Sequence, residues 1–253
     1  VRFSTDNIQW KTFCNNIKTK YFGKCPSTSS IEYKSTDPYE VVKRINRLIK
    51  SNAIVTVDDG ANLCWVFQAF ERSGQTIFTA GGNSPMGYSF PAAIGSAIQS
   101  SDRQIICFTG DGSMQINIQE LQTMSHHRLP IKIFIYNNGG YLTIKQTQEI
   151  NFNGRLMGSN EESGLSFPKY KELGSAYNIK SIQIKNQVNL SEKILEVLEH
   201  DGPVLCELIM DRNQPNIPKS APKKLSDGSI VRTNFEDLFP FLSEEELKSN
   251  IFT

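Results

Sequence analysis

The chain has little of what would tie it to a membrane, a nucleic acid or a disulfide framework. No apolar run approaches the ~20 residues that span a bilayer, and the N-terminus lacks the charged-then-apolar layout of a secretory signal. The protein is therefore expected to be soluble, with no membrane partner. Charge of one sign is missing too. Lys and Arg number 27 against 26 Asp and Glu, interleaved rather than blocked, which gives no electrostatic reason to expect a nucleic-acid partner. The 5 cysteines, Cys14, Cys25, Cys64, Cys107 and Cys206, are scattered with no C-x-x-C pair. That spacing argues against a zinc, iron–sulfur or redox motif and fits a reduced, cytoplasmic compartment. Of the 3 histidines, His126 and His127 follow a helix end and His200 precedes Asp201-Gly202, which suits exposed or capping roles.

What remains is the composition of a globular chain with a substantial core, 38% apolar and 21% charged. It opens on Val1 and runs through a Pro-Ser-Thr-Ser-Ser cluster at 26–30, so residues 1–36 read as a linker from a preceding domain. Asp37-Pro38-Tyr39-Glu40 reads as a helix start, with Asp37 capping, Pro38 at the first position and Glu40 reaching back. Val41, Val42, Ile45, Leu48 and Ile49 then share one helical face. β-Branched runs at 53–58, 104–109, 131–136, 179–184 and 204–210 alternate with helical patterns at 62–70, 89–99, 118–126, 167–177 and 190–199. Such alternation predicts an α/β domain over 37–212, a doubly wound parallel sheet of about five to six strands with helices on both faces. Residues 213–253 read as a Pro- and Lys-rich tail, closed by a short docking helix within 235–252 that Ser243 caps ahead of Glu244-Glu245-Glu246. Trp10 and Trp65 read as packing residues.

In an open parallel sheet, ligands bind outside the carboxyl ends of the strands, so the loops after Asp58, Thr109 and Tyr136 are expected to converge. The middle one is Gly110-Asp111-Gly112-Ser113. Its glycines let backbone approach an anion, and the helix start beyond it offers N–H groups to phosphate oxygens. A carboxylate beside a phosphate implies a bridging cation, and magnesium is the natural one. The third loop, Asn137-Asn138-Gly139-Gly140-Tyr141, supplies a side-chain oxygen from Asn138 and a backbone carbonyl from Gly140. With Asp111 and two phosphate oxygens these would make most of an octahedron. Taken alone, each loop reads as an ordinary turn; the pairing changes that.

Gly110-Asp111-Gly112, about two dozen intervening residues and then Asn137-Asn138 resemble the signature of thiamine diphosphate enzymes. The stretch Gly81-Gly82-Asn83-Ser84-Pro85-Met86-Gly87-Tyr88 resembles the segment preceding that motif in acetolactate synthases. The resemblance covers roughly residues 37–210 and implies the thiamine diphosphate-binding fold, with Mg2+ as the second cofactor. It implies that Met86 props the cofactor in a bent shape, bringing its own amino group beside its reactive carbon, and that backbone of Ser84 and Met86 holds the aminopyrimidine. Gly60, Ala61 and Asn62 match diphosphate contacts, although a His is common where Asn62 stands. The essential glutamate of the family lies on another domain, so the implied assembly is a homo-oligomer, dimer or tetramer, with sites at subunit interfaces, and the piece alone is expected to be inactive. FAD is allowed in the full-length enzyme, and no residue of this chain decides it.

Beyond the asparagines, Thr143, Lys145 and Thr147 stand where acetolactate synthases carry a Met, an Arg and a Trp around the acceptor. Thr in place of an indole opens that pocket. The stretches Asn153-Gly154-Arg155 and Glu161-Glu162-Ser163-Gly164 resemble synthase-like enzymes that attach a two-carbon unit to a keto sugar. Three readings stay open. The favoured one is a carboligase that decarboxylates pyruvate or another 2-keto acid and passes the acyl carbanion equivalent to a carbonyl acceptor. The others are a simple 2-keto acid decarboxylase and a non-catalytic cofactor-binding module.

Overall fold

The computed structural model describes residues 7–21, 34–225 and 227–252. Backbone contacts divide the chain into two compact units, residues 28–214 and residues 1–27 together with 215–253. The described part begins with a helix, α1 (Ile8–Tyr21), none of whose residues is buried. The linker expected over 1–36 thus contains helical structure. Trp10, Phe13, Ile17 and Tyr21 recur at helical spacing within it, a stripe set among polar residues and followed by the turn-forming cluster on which the linker reading rests. The Pro-Ser-Thr-Ser-Ser cluster and Cys25 lie outside the described residues.

The larger unit starts with α2 (Pro38–Leu48), where the Asp37 carboxylate accepts the Tyr39 and Glu40 amides. Glu40 does not reach back as expected; it pairs forward with Lys43 at 3.1 Å. Val41, Val42 and Ile45 are fully buried, while Leu48, predicted on the same face, is exposed. Then follow β1 (Ile54–Val57), α3 (Ala61–Ala69), β2 (Thr76–Phe78), α4 (Ser89–Gln99) and β3 (Ile105–Gly110). Next come α5 (Asp111–Ile116), α6 (Glu120–His126), β4 (Ile131–Asn137) and α7 (Leu142–Asn151). The unit closes with α8 (Tyr170–Ala176), β5 (Lys180–Ile184), α9 (Leu190–Glu199) and β6 (Val204–Ile209).

The six strands form one sheet in the order β2-β1-β3-β4-β6-β5, every pair parallel. This is the α/β sheet that the strand–helix alternation predicts. Side chains alternate across it. Ile105, Cys107, Ile131, Ile133 and Ile135 pack on one side with Phe90, Ala93 and Ala97 of α4, Leu121 and Met124 of α6 and Tyr170 of α8. On the other side Phe108, Phe134 and Tyr136 stack in a row, and Trp65 of α3 meets Tyr136 edge-on at 5.5 Å. The three-residue β2 and the helix α7 were not foreseen, the one too short and the other too polar to carry a periodic signal, whereas α5 supplies the helix start expected at the Gly-Asp-Gly loop.

In the terminal unit, Trp10 and Phe13 of α1 meet Phe252, with ring centroids 5.1 and 5.2 Å away. Strands β7 (Lys223–Lys224) and β8 (Ile230–Val231) pair antiparallel. Only α10 (Glu244–Ser249) of the 235–252 stretch is helical. Ser243 caps it, its hydroxyl accepting the Glu246 amide at 3.2 Å. Among the described residues, no helix is long and apolar enough to cross a membrane.

Candidate functional site

The loops after β1, β3 and β4 meet at the carboxyl end of the sheet, around a cleft open to solvent. At its centre is Asp111, only 3% exposed. One carboxylate oxygen accepts the amide of Gly112 at 2.7 Å; the other accepts those of Asn138, Gly139 and Gly140 at 3.1, 2.8 and 3.3 Å. The two loops singled out in the sequence are therefore joined, one supplying a carboxylate and the other a row of amides. Three successive N–H groups can converge because Gly139 takes a left-handed φ of +70°. Burial pushes the Asp111 carboxyl up to about 7 despite these donors, because amide dipoles replace only part of the lost hydration.

Two glycines are fixed by space. A side chain at Gly140 would collide with the Ser159 backbone carbonyl, and one at Gly112 with the Tyr141 ring. The ring of Tyr141, edge-on to Phe167 at 5.9 Å, thus closes over Gly112. From below, the Tyr170 hydroxyl of α8 donates to the Asp111 carbonyl at 2.7 Å. The Asn138 side-chain oxygen accepts the Gly140 amide at 3.3 Å, leaving its other lone pair available.

Opposite, Gly60, at φ +93°, turns β1 into α3, and Ala61 and Asn62 open that helix against the cleft. Asn62 was expected to donate to a ligand. One N–H of its amide bonds the Asp58 carbonyl at 2.9 Å, while its oxygen lies close to Gly60 and Gly110; the amide carries a second N–H. The Met86 loop is held by Asp58, a fully buried carboxylate. It accepts Gly87 N at 2.9 Å, Ser89 N at 3.3 Å, Ser89 Oγ at 2.8 Å and Thr109 Oγ1 at 3.2 Å. Burial raises its pKa above the ordinary carboxylate value. The sequence marked Asp58 only as the end of a strand; the acid there and Ser89 at the start of α4 were the available signal.

Of the residues singled out from sequence, Gly60, Ala61, Asn62, Met86, Gly110, Asp111, Gly112, Ser113, Asn138, Gly140, Tyr141 and Thr143 line this cleft. Ser84 does not, although its φ of +44° sets the turn into Pro85 and Met86. Lys145 faces a smaller adjoining pocket and bonds Asn213 at 2.8 Å. Thr147 spends its hydroxyl on the Thr143 carbonyl at 2.9 Å. The reason is helical: positions 143 and 145 lie about 200° apart around α7, and 147 sits a turn further on. Trp65, Tyr136, Leu142 and Ile144 line the cleft without having been anticipated.

The buried, amide-bound aspartate and the glycine-only turns thus stand outside the carboxyl ends of the strands, where an open doubly wound α/β sheet binds its ligands. Residues 58–208 match the thiamine pyrophosphate enzyme C-terminal TPP binding domain, and the chain belongs to that family. It is similar to the acetolactate synthase large subunit of Porphyra purpurea, 30% identical over 217 residues, 86% of this chain and 36% of that protein. The large subunit from Cyanidium caldarium is 32% identical over 224 residues, 88% and 37% of the two chains. The isozyme 1 large subunit from Escherichia coli (strain K12) is 29% identical over 194 residues, 75% and 34%. The chain spans about a third of the length of these relatives.

Proposed function

We propose that this cleft holds the diphosphate of thiamine diphosphate through Mg2+, ligated by the Asp111 carboxylate, the Asn138 side-chain oxygen and the Gly140 carbonyl. The observation that carries this is the environment of Asp111: a buried carboxylate whose partners among the described residues are backbone amides. A divalent cation supplies the positive charge that burial otherwise denies it. Gly110, Gly112 and Ser113, with Gly60, Ala61 and Asn62 opposite, leave backbone room for the phosphates, and a flavin site is left to other parts of the enzyme.

When bound, the cofactor supplies the electron sink for decarboxylating a 2-keto acid. This chain's residues bind and orient it. Met86 would serve as the prop, its loop tied to the sheet by Asp58, and the Met86 backbone would hold the aminopyrimidine, with Ser84, outside the cleft, setting the turn that presents it. Thr143, which stands where acetolactate synthases carry a Met, is the acceptor-pocket residue that lines the cleft, and its shorter side chain leaves room for a carbonyl compound larger than a keto acid; a keto sugar is the candidate, although Thr147, in the place of the indole, lies outside the cleft. The activity is that of an acetolactate synthase-like carboligase, cytoplasmic, assembled as a homo-oligomer with each cleft completed by a glutamate-bearing domain. The chain by itself is then inactive.

Asp111→Ala in the intact enzyme is expected to abolish Mg2+-dependent binding of thiamine diphosphate in calorimetry, since it removes the charged ligand. Unchanged affinity would reject the metal assignment. Product analysis with pyruvate, Mg2+ and thiamine diphosphate, with and without a keto sugar, tests the acceptor. Pyruvate consumed only with the sugar supports the proposed acceptor. Acetolactate from pyruvate alone returns the enzyme to ordinary synthase chemistry, and acetaldehyde alone makes it a decarboxylase.

A further inference from the structure

Glu207 lies on β6, 6% exposed, at the sheet position paired with Ile135 of β4 and Gln183 of β5. A carboxylate there must be satisfied by donors. One oxygen accepts the Asn137 amide at 2.6 Å and the other the Gln183 amide at 2.6 Å. Both partners are neutral carboxamides, which could present either end. An ionised carboxylate is acceptor-only and selects the NH2 end. For Asn137 that choice turns its oxygen the other way, where it accepts the Gly139 amide at 3.0 Å. The same Gly139 amide donates to Asp111 at 2.8 Å.

We propose that Glu207 is a positioning residue for the metal and diphosphate site: by fixing which end of the Asn137 carboxamide faces Gly139, it sets the row of amides that converges on Asp111. This rests on the reading of Asp111 as the metal ligand. It separates the two asparagines by task, Asn138 facing the cleft and Asn137 facing the sheet. A carboxamide turned over would place an NH2 group against the Gly139 N–H. Two donors repel, so the turn could not keep its geometry.

The experiment is a polarity exchange in the intact enzyme. Glu207→Gln gives Asn137 a partner that is no longer acceptor-only. Asn137→Asp sets two carboxylates against each other. The double variant Asn137→Asp/Glu207→Gln restores a complementary pair, with the carboxamide introduced on β6 donating to the carboxylate introduced on β4, which still accepts the Gly139 amide. Mg2+ affinity is measured by calorimetry at saturating thiamine diphosphate, and amide exchange of the 137–141 segment is followed without ligand. Each single variant is expected to weaken Mg2+ binding tenfold or more, the usual consequence of losing an outer-shell partner. Each is expected to speed exchange at Gly139 but not at Ile133 or Leu205, and the double variant to recover most of both. Wild-type affinity in Glu207→Gln, no recovery in the double, or exchange rising equally along β4 and β6 would overturn the proposal. A wild-type enzyme that takes up thiamine diphosphate without Mg2+ would overturn the reading of Asp111 as well.

Discussion

Asp58 offers the sharpest test of how the Met86 loop is held. Replacing it with alanine removes the acceptor for two buried backbone amides, Gly87 at 2.9 Å and Ser89 at 3.3 Å. The Ser89 and Thr109 hydroxyls lose an acceptor as well. Each buried amide left unpaired costs about 1–3 kcal/mol. The buried charge disappears in the same step, which offsets part of that, so Asp58→Ala is expected to lose about 3 kcal/mol. Asp58→Asn behaves differently. Its oxygen can keep the Gly87 and Asp59 amides, and its NH2 can donate to the two hydroxyls, which rotate to accept; only the long Ser89 amide bond is lost. A cost near ~1 kcal/mol follows. The pH dependence has a definite sign. Burial raises the folded pKa of Asp58 above 3.8, so the folded chain holds this proton more tightly and its contribution to stability falls as pH rises through that window. Asparagine has no proton to lose, so the variant gains on the wild type as pH climbs. Denaturant unfolding from about pH 4 to about pH 7, with amide exchange at Gly87 and Ser89, reads all of this. Equal stability of wild type and Asp58→Ala, or an Asn variant worse than the Ala variant, would refute the reasoning.

Other expectations are shorter. Gly140→Ala should disrupt the site more than Gly112→Ala, because the former meets a backbone carbonyl and the latter a ring that can swing; the two thermal shifts and cofactor affinities rank them. Met86→Ala should chiefly lower turnover, leaving Mg2+ affinity near wild type, as steady-state kinetics beside calorimetry will show. Lys132, buried in β4, donates to the carbonyls of His200 and Gly202, and burial lowers its pKa from 10.5 to about 8. Between those values the unfolded chain binds more protons, so this residue makes stability rise with pH, by at most about 1.4 kcal/mol per unit. The difference between wild type and Lys132→Met should therefore grow in the wild type's favour over that window, and parallel profiles would contradict it.

The fold was legible wherever one face of an element is buried without interruption. The β-branched runs of β1, β3 and β4 are such cases, and so is α2, whose cap, proline and apolar stripe all point the same way. The helix α7 was missed because only Leu142 in it is buried, which leaves no stripe to read. Lys145 and Thr147 enter the acceptor pocket by resemblance to acetolactate synthases, with no helix legible there to show which way each position faces. The cleft's loops were legible because Gly, Asp and Asn there answer to backbone geometry. The groups that hold those loops were not. Asp58, Tyr170 and Glu207 act on partners far along the chain, and an acid or a tyrosine beside a strand carries no sign of which distant amide or carbonyl it will meet.

Those distances have a consequence for the order of events when the chain folds. Asp58 reaches Gly87 across 29 residues, Asp111 reaches Asn138 across 27, and Asn137 finds Glu207 across 70. Each of these three bonds closes a long loop, and parallel strands close such loops slowly. On the proposed role of Glu207, the Asn137 carboxamide lacks its orienting partner until β6 has been synthesised and has joined the sheet. A nascent or truncated chain ending before residue 204 would hold the entire Gly-Asp-Gly and Asn-Asn motif and still present no formed cage. If Glu207 sets the turn as proposed, ligand capture is expected to follow completion of the sheet, the cofactor then stabilising a finished domain.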